Sequence, residues 1–291
     1  MVKTLSELYL DARKAFAEHE DVQTASLYAR CLVCHVTGKR PEALLADGRE
    51  LATPEAAQAM WQAVNRVLVG EPLAYVLGEW EFYGLKLQVN RDVLIPRDDT
   101  CAVADLAIQQ SLFLPETPRI LDLCTGSGCI GLAIAHKIAD ARVTLGDISK
   151  EALTVAKKNI AGNKLTGRVS CYQMNALEEP EAFLGQFDLI VSNPPYITTE
   201  EMTQLPAGVR DYEPHLALHG GDDGLIFYRT IADKYRKALK PGGYLCFEFG
   251  MGQGDDVCQI LLDNGYTILE RARDYNDRER AVLARYDRKE E

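Results

Sequence analysis

The sequence predicts an α/β protein in which a small helical domain and a β-hairpin linker precede a mostly parallel sheet. Three observations support this prediction. Apolar residues recur at helical spacing up to about residue 70, alternating strand and helix patterns begin near residue 97, and the chain closes with two strand patterns joined by a polar loop. Such alternation is typical of a parallel sheet covered by helices on both faces, and the closing hairpin would add antiparallel strands at one edge.

The helical domain is predicted over residues 1–70. The segment LSELYLDARKAF has apolar residues at a period near 3.6, and Thr53-Pro54 has the cap and first-turn proline of a helix start. Residues 71–96 follow as a predicted hairpin linker, since apolar residues alternate there and glycines flank them. From residue 97 onward, the predicted parallel strands are RILDL, ARVTLGDI, RVSCYQM, FDLIVSN and YLCFEFG.

Composition and charge narrow the class of protein. The 291-residue chain is 47% hydrophobic and 26% charged, which is typical of a globular protein with one large or two ordinary domains. Its net charge of −11 argues against a protein that binds nucleic acid mainly by neutralising phosphates, and suits a partner with a basic surface. No apolar run reaches the roughly 18 residues of a membrane span, and the first segment lacks the apolar core of a signal peptide. We therefore expect a cytoplasmic protein whose eight cysteines are reduced.

The spacing of Cys31, Cys34 and His35 matches that of covalent haem attachment. These residues lie inside a helical apolar pattern, however, where cysteines pack as small apolar side chains. No zinc-ligand spacing accompanies them. We therefore interpret them as packing residues and expect no metal site.

A glycine-rich turn between a predicted strand and a predicted helix is the first sign of a ligand site. In ILDLCTGSGCIG, Gly126, Gly128 and Gly131 satisfy the pattern G-x-G-x-x-G, and Asp147 ends the next strand about 20 residues later. This combination is typical of a ligand whose ribose hydroxyls bind the acid. Nicotinamide cofactors and S-adenosylmethionine (AdoMet) both meet that description. Asp122 favours AdoMet, because it lies close to where a cationic amino acid tail could bind.

The stretch NPPY follows the predicted strand FDLIVS and lies across from the glycine turn. Pro194 and Pro195 fix the backbone and donate no hydrogen bonds, so the turn presents its carbonyl oxygens rigidly. A carbonyl oxygen and the Asn193 side-chain oxygen offer two acceptors for the two donors of a planar NH2 group, and Tyr196 can lie against its flat face. Acceptors placed in this way orient the nitrogen toward a methyl donor and stabilise the positive charge that develops on it.

Taken together, these motifs resemble the HemK-type protein N5-glutamine methyltransferases. The segments that carry the resemblance are PLAYVLGEWEFYG (72–84), VLIPR (93–97), LDLCTGSG (121–128), NPPYI (193–197), VRDYEPHLAL (209–218), DDGLIFYR (222–229) and LKPGGYL (239–245). The resemblance implies an AdoMet-dependent methyltransferase fold, that is, a Rossmann-like, mostly parallel sheet with a terminal antiparallel hairpin. It implies that residues 97–291 bind AdoMet and release S-adenosylhomocysteine, and that the helical domain recognises the substrate.

The resemblance also assigns candidate site residues. It implies a substrate site at Asn193, Pro194, Pro195 and Tyr196, and catalytic roles for Asn193, Pro194 and Tyr196. The cofactor-binding residues that it implies are Cys124, Thr125, Gly126, Ser127, Gly128, Asp147, Asn175, Ala176 and Asn193. The chain departs from the family pattern at Asn175-Ala176, where the family usually has Asp and a bulky residue. It departs again at Cys124, which replaces a glycine, and at IPRDDT, which replaces IPRPET.

Two branches of this family differ in substrate. One methylates the glutamine of the Gly-Gly-Gln motif in class I peptide chain release factors, and the other methylates a glutamine of ribosomal protein L3. GEWEFYG, VRDYEP and DDGLIFYR resemble the first branch, whereas CTGSGCI is somewhat similar to the second. We therefore expect an enzyme that methylates N5 of the release factor glutamine. We also expect it to be a monomer and to form no stable complex with nucleic acid or a membrane.

Four alternatives remain open from the sequence. They are methylation of ribosomal protein L3, adenine-N6 methylation of nucleic acid, nicotinamide-dependent oxidoreduction, and a non-catalytic binding module. The second is open because adenine methyltransferases also carry NPPY.

Overall fold

The computed structural model describes residues 3–287 of the chain. Its α-helices are α1 (Leu5–Phe16), α2 (Val22–Thr37), α3 (Pro41–Ala46), α4 (Pro54–Leu68), α5 (Leu73–Leu77), α6 (Cys101–Ser111), α7 (Cys129–Lys137), α8 (Lys150–Gly162), α9 (Thr199–Met202), α10 (Ala207–Arg210), α11 (Ile226–Lys234) and α12 (Gly254–Asp263). Its strands are β1 (Glu79–Phe82), β2 (Leu85–Gln88), β3 (Arg119–Leu123), β4 (Arg142–Asp147), β5 (Val169–Gln173), β6 (Phe187–Ser192), β7 (Leu239–Glu248), β8 (Tyr266–Arg273) and β9 (Glu279–Tyr286). Short 3-10 turns occur at Asp98–Thr100, Ala182–Leu184, His215–Ala217 and Tyr235–Ala238.

The chain divides into two compact units. The first runs to Gly78 and takes in Ala207–Tyr212, and the second comprises Glu79–Pro206 and the residues from Glu213 onward. The first unit is helical, as the apolar period predicts. Its helix starts have local causes: the Thr4 side chain caps α1, and the Thr53 side chain accepts a hydrogen bond from the backbone N–H of Ala56 at the start of α4. Helices α1, α2 and α4 pack against one another through buried side chains that include Leu8, Phe16, Leu32 and Val64.

Residues 71–96, predicted as a hairpin linker, are shared between the two units. Helix α5 belongs to the first unit, whereas the hairpin β1–β2 belongs to the second. The hairpin is fixed there by Asn159 of α8, whose side chain accepts a hydrogen bond from Gln88 N at 2.6 Å and donates one to Gln88 O at 3.0 Å. Phe82 and Leu87 also belong to an apolar core of the second unit, so burial ties the hairpin to the sheet domain.

The second unit contains a seven-stranded sheet in the order β5-β4-β3-β6-β7-β9-β8. Strands β3 to β7 pair in parallel, and β9 pairs antiparallel with both β7 and β8. Side chains of the central strands β3, β6, β7 and β9 alternate between two apolar cores, one with α6, α7 and α8 and the other with α11 and α12. The predicted fold class, a mostly parallel sheet covered on both faces and ending in an antiparallel hairpin, is therefore confirmed. Within residues 3–287, no helix is long and apolar enough to cross a membrane.

Candidate active site

The carboxyl ends of the central parallel strands meet at one place in the sheet. The chain leaves β3 toward β4, whereas it leaves the adjacent β6 toward β7 on the opposite side. The two connections therefore diverge between β3 and β6, and sheets of this type bind ligands at such a switch point. Leu123 at the end of β3 pairs with Ser192 at the end of β6. The glycine loop after β3 and Asn193 after β6 therefore begin side by side, and Asp147 ends the neighbouring strand β4.

A cavity of about 220 Å³ opens at these strand ends. Most of the predicted site residues form part of its wall: Cys124, Thr125, Gly126, Ser127, Asp147, Asn175, Ala176, Asn193 and Pro195. Gly128, Pro194 and Tyr196 are not among the wall residues. Gly128 has a structural reason to be glycine, because it begins α7 with a left-handed φ of 86° and a Cβ there would lie 3.0 Å from Leu145.

Asp122, a buried residue of β3, fixes the glycine loop through hydrogen bonds. Its Oδ2 accepts hydrogen bonds from the Thr125 hydroxyl at 2.6 Å and from Gly131 N at 2.9 Å. Gly131 is required for close packing, because a Cβ there would lie 2.3 Å from a methyl carbon of Leu145 and 2.9 Å from Asp122. One buried carboxyl thus joins both ends of the loop to β3.

Asp122 does not reach the cavity, in contrast to its predicted position near a cationic ligand tail. It is 1% exposed, and its Oδ1 has no hydrogen-bond partner among the described residues. Burial raises the pKa of Asp122 to about 7, although the hydrogen bonds from Thr125 and Gly131 oppose that rise. Its role in this structure is to support the loop.

Asp147 does form part of the cavity wall and has a fixed side chain. Its Oδ2 accepts a hydrogen bond from Gly126 N at 2.9 Å, and its Oδ1 accepts one from Ser149 N at 3.0 Å. Burial raises the pKa of Asp147, while backbone N–H groups, led by that of Ser149, oppose the rise. Each carboxylate oxygen keeps accepting capacity, so the side chain could bind a pair of vicinal hydroxyls.

Asn175 forms part of the wall, but its side chain is also used locally. Its Oδ1 accepts a hydrogen bond from Leu177 N at 3.0 Å, and its Nδ2 donates one to Glu178 at 3.0 Å. This arrangement is an Asx turn, in which a short polar side chain bonds to backbone two residues later. Ala176 is 5% exposed. The expected contact of these two residues with an adenine ring stays a prediction.

The NPPY turn is firmly embedded. Pro194 and Pro195 are buried, and the Tyr196 carbonyl oxygen accepts a hydrogen bond from Gln253 Nε2 at 3.1 Å. A Cβ on Gly220 would lie 2.7 Å from the Pro195 carbonyl oxygen, which shows how closely the following loop covers the turn. Burial raises the pKa of the Tyr196 hydroxyl, and the negative charge of Glu248 adds to that rise. The tyrosine therefore stays neutral at physiological pH.

Several wall residues come from segments to which the sequence assigned no role. They are Asp92, Val93, Leu94, Pro96, Arg97, Thr100, Leu123, Cys129, Ile130, Ile148, Ser149, Ala152, Met174, Leu177, Pro214, Leu216, Ala217 and Phe227. The segments IPR, YEPHLAL and GLIFYR supply six of these eighteen residues, so for those six the resemblance to known sequences was the signal that could have identified them. Arg97 pairs with the buried carboxylate of Glu213, which also accepts a hydrogen bond from Ile95 N at 3.3 Å. This pair joins two segments of the wall.

The half-buried Cys31 and Cys34 lie on α2, where burial raises the pKa of each thiol. Across residues 3–287, no group of three or more His, Cys, Asp or Glu side chains is arranged to hold a metal ion.

Two protein families match the chain. Residues 7–78 match the PrmC N-terminal domain, and residues 106–208 match the methyltransferase small domain. A solved structure of a methyltransferase from Pyrococcus furiosus has the same fold, with a TM-score of 0.51 and 18% identity over 77% of this chain and 98% of that one.

Curated relatives extend the match along most of the chain. A release factor glutamine methyltransferase of Geobacter sulfurreducens is 36% identical over 278 residues, which cover 95% of each protein. The corresponding protein of Clostridium acetobutylicum is 41% identical over 73% of this chain and 74% of its own length. A bifunctional methyltransferase of Rickettsia bellii is 34% identical, and the chain spans 52% of its length. This chain belongs to the release factor glutamine methyltransferase family.

Proposed function

We propose that this protein transfers a methyl group from AdoMet to the side-chain amide nitrogen, N5, of the glutamine in the Gly-Gly-Gln motif of class I peptide chain release factors. The observation that carries the proposal is the pairing of Leu123 with Ser192. Because of this pairing, the NPPY turn and the glycine loop begin side by side, which supports binding of the amide next to the cofactor. The relatives of the chain are named for this activity.

The cavity fits AdoMet chemically. Asp147 faces the cavity with spare accepting capacity for ribose hydroxyls. The hydroxyl of Ser127 is buried in the wall and has no partner among the described residues, so it is available to a polar ligand group. Apolar side chains such as Ile148, Leu177 and Phe227 give the remaining wall the character that a purine ring requires. When bound, AdoMet supplies an electrophilic methyl group.

The NPPY turn would hold the other reactant. The Asn193 side-chain oxygen and the Pro194 carbonyl would accept the two N–H bonds of the glutamine amide, and the Tyr196 ring would cover its flat face. An amide nitrogen is a weak nucleophile because its lone pair is delocalised. Fixing both N–H bonds aims that nitrogen at the methyl donor and removes much of the entropic part of the barrier.

The same acceptors would stabilise the transition state. Positive charge develops on the amide nitrogen as it gains a methyl group, and both acceptors point their lone pairs at its N–H bonds. The neutral Tyr196 adds no opposing charge. No strong base is needed before attack, because the nitrogen can lose its proton afterwards.

The test is direct. The protein is incubated with AdoMet and a class I release factor from the same organism, and the Gly-Gly-Gln peptide is measured by mass spectrometry. One added methyl group on the glutamine is expected. An unmodified peptide, with AdoMet binding intact, would contradict the release factor as substrate and move the assay to ribosomal protein L3 and then to nucleic acid.

We further propose a division of labour between the two units. The helical unit, which matches the PrmC N-terminal domain, would recognise the protein substrate, and the sheet unit would carry out transfer as a monomer. Release factors act at the ribosome, so the enzyme would work in the cytoplasm without a membrane or a stable nucleic acid partner. Gel filtration and sedimentation of the protein with its release factor test the expected stoichiometry.

A further inference from the structure

The side-chain amide of Asn193 has two chemically different ends, and only one of them can bind a glutamine NH2 group. Oδ1 accepts hydrogen bonds, whereas Nδ2 donates them. Productive binding requires Oδ1 to face the cavity, because two NH2 groups placed face to face cannot bond. Half a turn about the terminal torsion exchanges the two ends, so the neighbours of Asn193 decide which end faces the substrate.

Thr100 is the first of these neighbours. Asn193 Nδ2 donates to the Thr100 hydroxyl at 3.4 Å. Thr100 is 2% exposed and forms part of the cavity wall. Its 3-10 turn is anchored to β9 by an ion pair of 3.0 Å between Asp99 and Arg280. The hydroxyl therefore has a fixed position on one side of the Asn193 amide.

Glu248 is the second neighbour. It ends β7, and the preceding Phe247 pairs with Ser192, so Glu248 and Asn193 follow paired residues on adjacent strands. Glu248 is 2% exposed, and its Oε2 has no hydrogen-bond partner among the described residues. Burial raises its pKa to about 7, while hydrogen bonding to Thr100, the charge of Arg280 and hydrogen bonding to Asn193 oppose that rise.

The chemistry of a carboxylate makes its effect on the amide directional. Above its pKa of about 7, the Glu248 carboxylate is ionised and only accepts hydrogen bonds, so it attracts Nδ2 of Asn193 and repels Oδ1. The low-dielectric surroundings of Glu248 strengthen both effects. The hydrogen bond between Thr100 and Glu248 uses the hydroxyl proton of Thr100, which leaves its oxygen to accept from Asn193 Nδ2. Thr100 and Glu248 thus favour the same orientation of the amide, although they are far apart in the chain.

We propose that Glu248 and Thr100 are positioning residues that hold the Asn193 amide with Nδ2 toward the sheet and Oδ1 toward the substrate. This inference rests on the proposed function, because it concerns the acceptor for the glutamine N–H. Neither residue needs to touch the reacting atoms. They affect transfer by setting the fraction of enzyme molecules in which Asn193 Oδ1 faces the substrate.

Isosteric substitutions test the proposal. Glu248→Gln keeps the size of the side chain but adds a donor that can bond to Asn193 Oδ1, so the reversed amide becomes stable. Thr100→Val removes the hydroxyl, and Thr100→Ser restores it. We expect kcat for release factor methylation to fall about tenfold in Glu248→Gln and several-fold in Thr100→Val. In each variant kcat falls because fewer enzyme molecules hold Asn193 Oδ1 toward the substrate. Thr100→Ser should recover most of the activity lost in Thr100→Val.

The controls separate positioning from general damage. Ser111→Ala removes another buried hydroxyl, one that donates to Ala107 O on α6, and it should leave kcat unchanged. AdoMet affinity, measured by calorimetry, should stay within about twofold of wild type in all variants, since only the orientation of one amide changes. If Glu248→Gln fails to fold, the pair Thr100→Val and Thr100→Ser decides the question.

A second readout does not depend on transfer. In the NMR spectrum of protein labelled with ¹⁵N-asparagine, the side-chain NH2 signal of Asn193 is the one that is missing from the spectrum of Asn193→Ala. That signal should move in Glu248→Gln and Thr100→Val. Unchanged kcat together with an unchanged NH2 signal would overturn the inference. A wild-type enzyme that methylates no release factor would overturn the proposed function instead, and the NH2 signal would still decide whether the two residues position Asn193.

Discussion

Replacing Asp122 by asparagine should change how the stability of the protein depends on pH. Asp122 is fully buried beneath the glycine loop, and burial raises its pKa from 3.8 to about 7. Asparagine has nearly the same shape, and its Oδ1 can still accept the hydrogen bonds from Thr125 and Gly131. The substitution therefore removes one titration while it keeps the support of the loop.

The sign of the effect follows from the pKa of the carboxyl in the two states. Between pH 3.8 and about 7, the folded protein holds a proton on Asp122 that the unfolded chain has lost. Raising the pH through this range therefore destabilises the wild-type fold, and the loss is complete above the folded-state pKa. Between pH 5 and pH 8, titration of Asp122 should lower the free energy of unfolding of the wild type by about 3 kcal/mol. The asparagine variant should show no such loss.

The assay is urea denaturation of both proteins at several values from pH 5 to pH 8. The difference in free energy of unfolding between the two isolates Asp122, because the other groups titrate in both proteins. That difference should shift by about 3 kcal/mol in favour of the variant as the pH rises. A difference that stays constant over this range would refute the raised pKa. Asp122→Ala, which also removes the hydrogen bonds to Thr125 and Gly131, should be less stable than Asp122→Asn at every pH.

Three further predictions concern the site and its packing. Asn193→Ala should lower methyl transfer at least ~100-fold, as loss of a transition-state acceptor does, while calorimetry shows AdoMet still bound; substantial remaining transfer would contradict the role of Asn193. Asp147→Ala should weaken AdoMet binding at least ~10-fold, because hydrogen bonds to a charged group contribute about 1.5–3 kcal/mol each, and unchanged affinity by calorimetry would remove Asp147 from the cofactor site. Gly131→Ala should cost about 1–3 kcal/mol of stability, because its Cβ would lie 2.3 Å from Leu145. The matched change Gly162→Ala has open space and should stabilise the helix by up to ~1 kcal/mol in thermal melts; equal effects of the two substitutions would contradict the packing argument.

Local sequence signals were reliable where neighbouring residues along the chain decide the structure. The cap and proline at Thr53-Pro54 start α4, as their residue types predict, and the structure shows that Ser149 caps α8 in the same way. The glycine pattern correctly indicated a turn between β3 and α7, and the structure shows that Gly126 and Gly128 have positive φ there. These features depend on backbone geometry and hydrogen bonds within a few residues.

Side-chain direction was harder to predict. Asp122 precedes the glycine loop by only a few residues, yet strand alternation and the hydrogen bond to Gly131 keep it below the loop and away from the cavity. Asn175 matched a family position for ligand contact, but its side chain also bonds to Leu177 and Glu178. In both cases a nearby backbone or side-chain partner, invisible to a pattern of residue types, fixes the orientation.

The sequence by itself determined the α/β class, the order of strands along the chain, and the two motifs that face each other across the site. Those properties follow from periodicity and from residues with restricted backbones. Only the tertiary structure decided that β3 lies between β4 and β6, that Arg280 anchors the turn holding Thr100, and that Glu248 lies beside Asn193. The physical reason is that strand pairing joins residues far apart in the chain, and no local pattern records which distant partner satisfies a buried polar group.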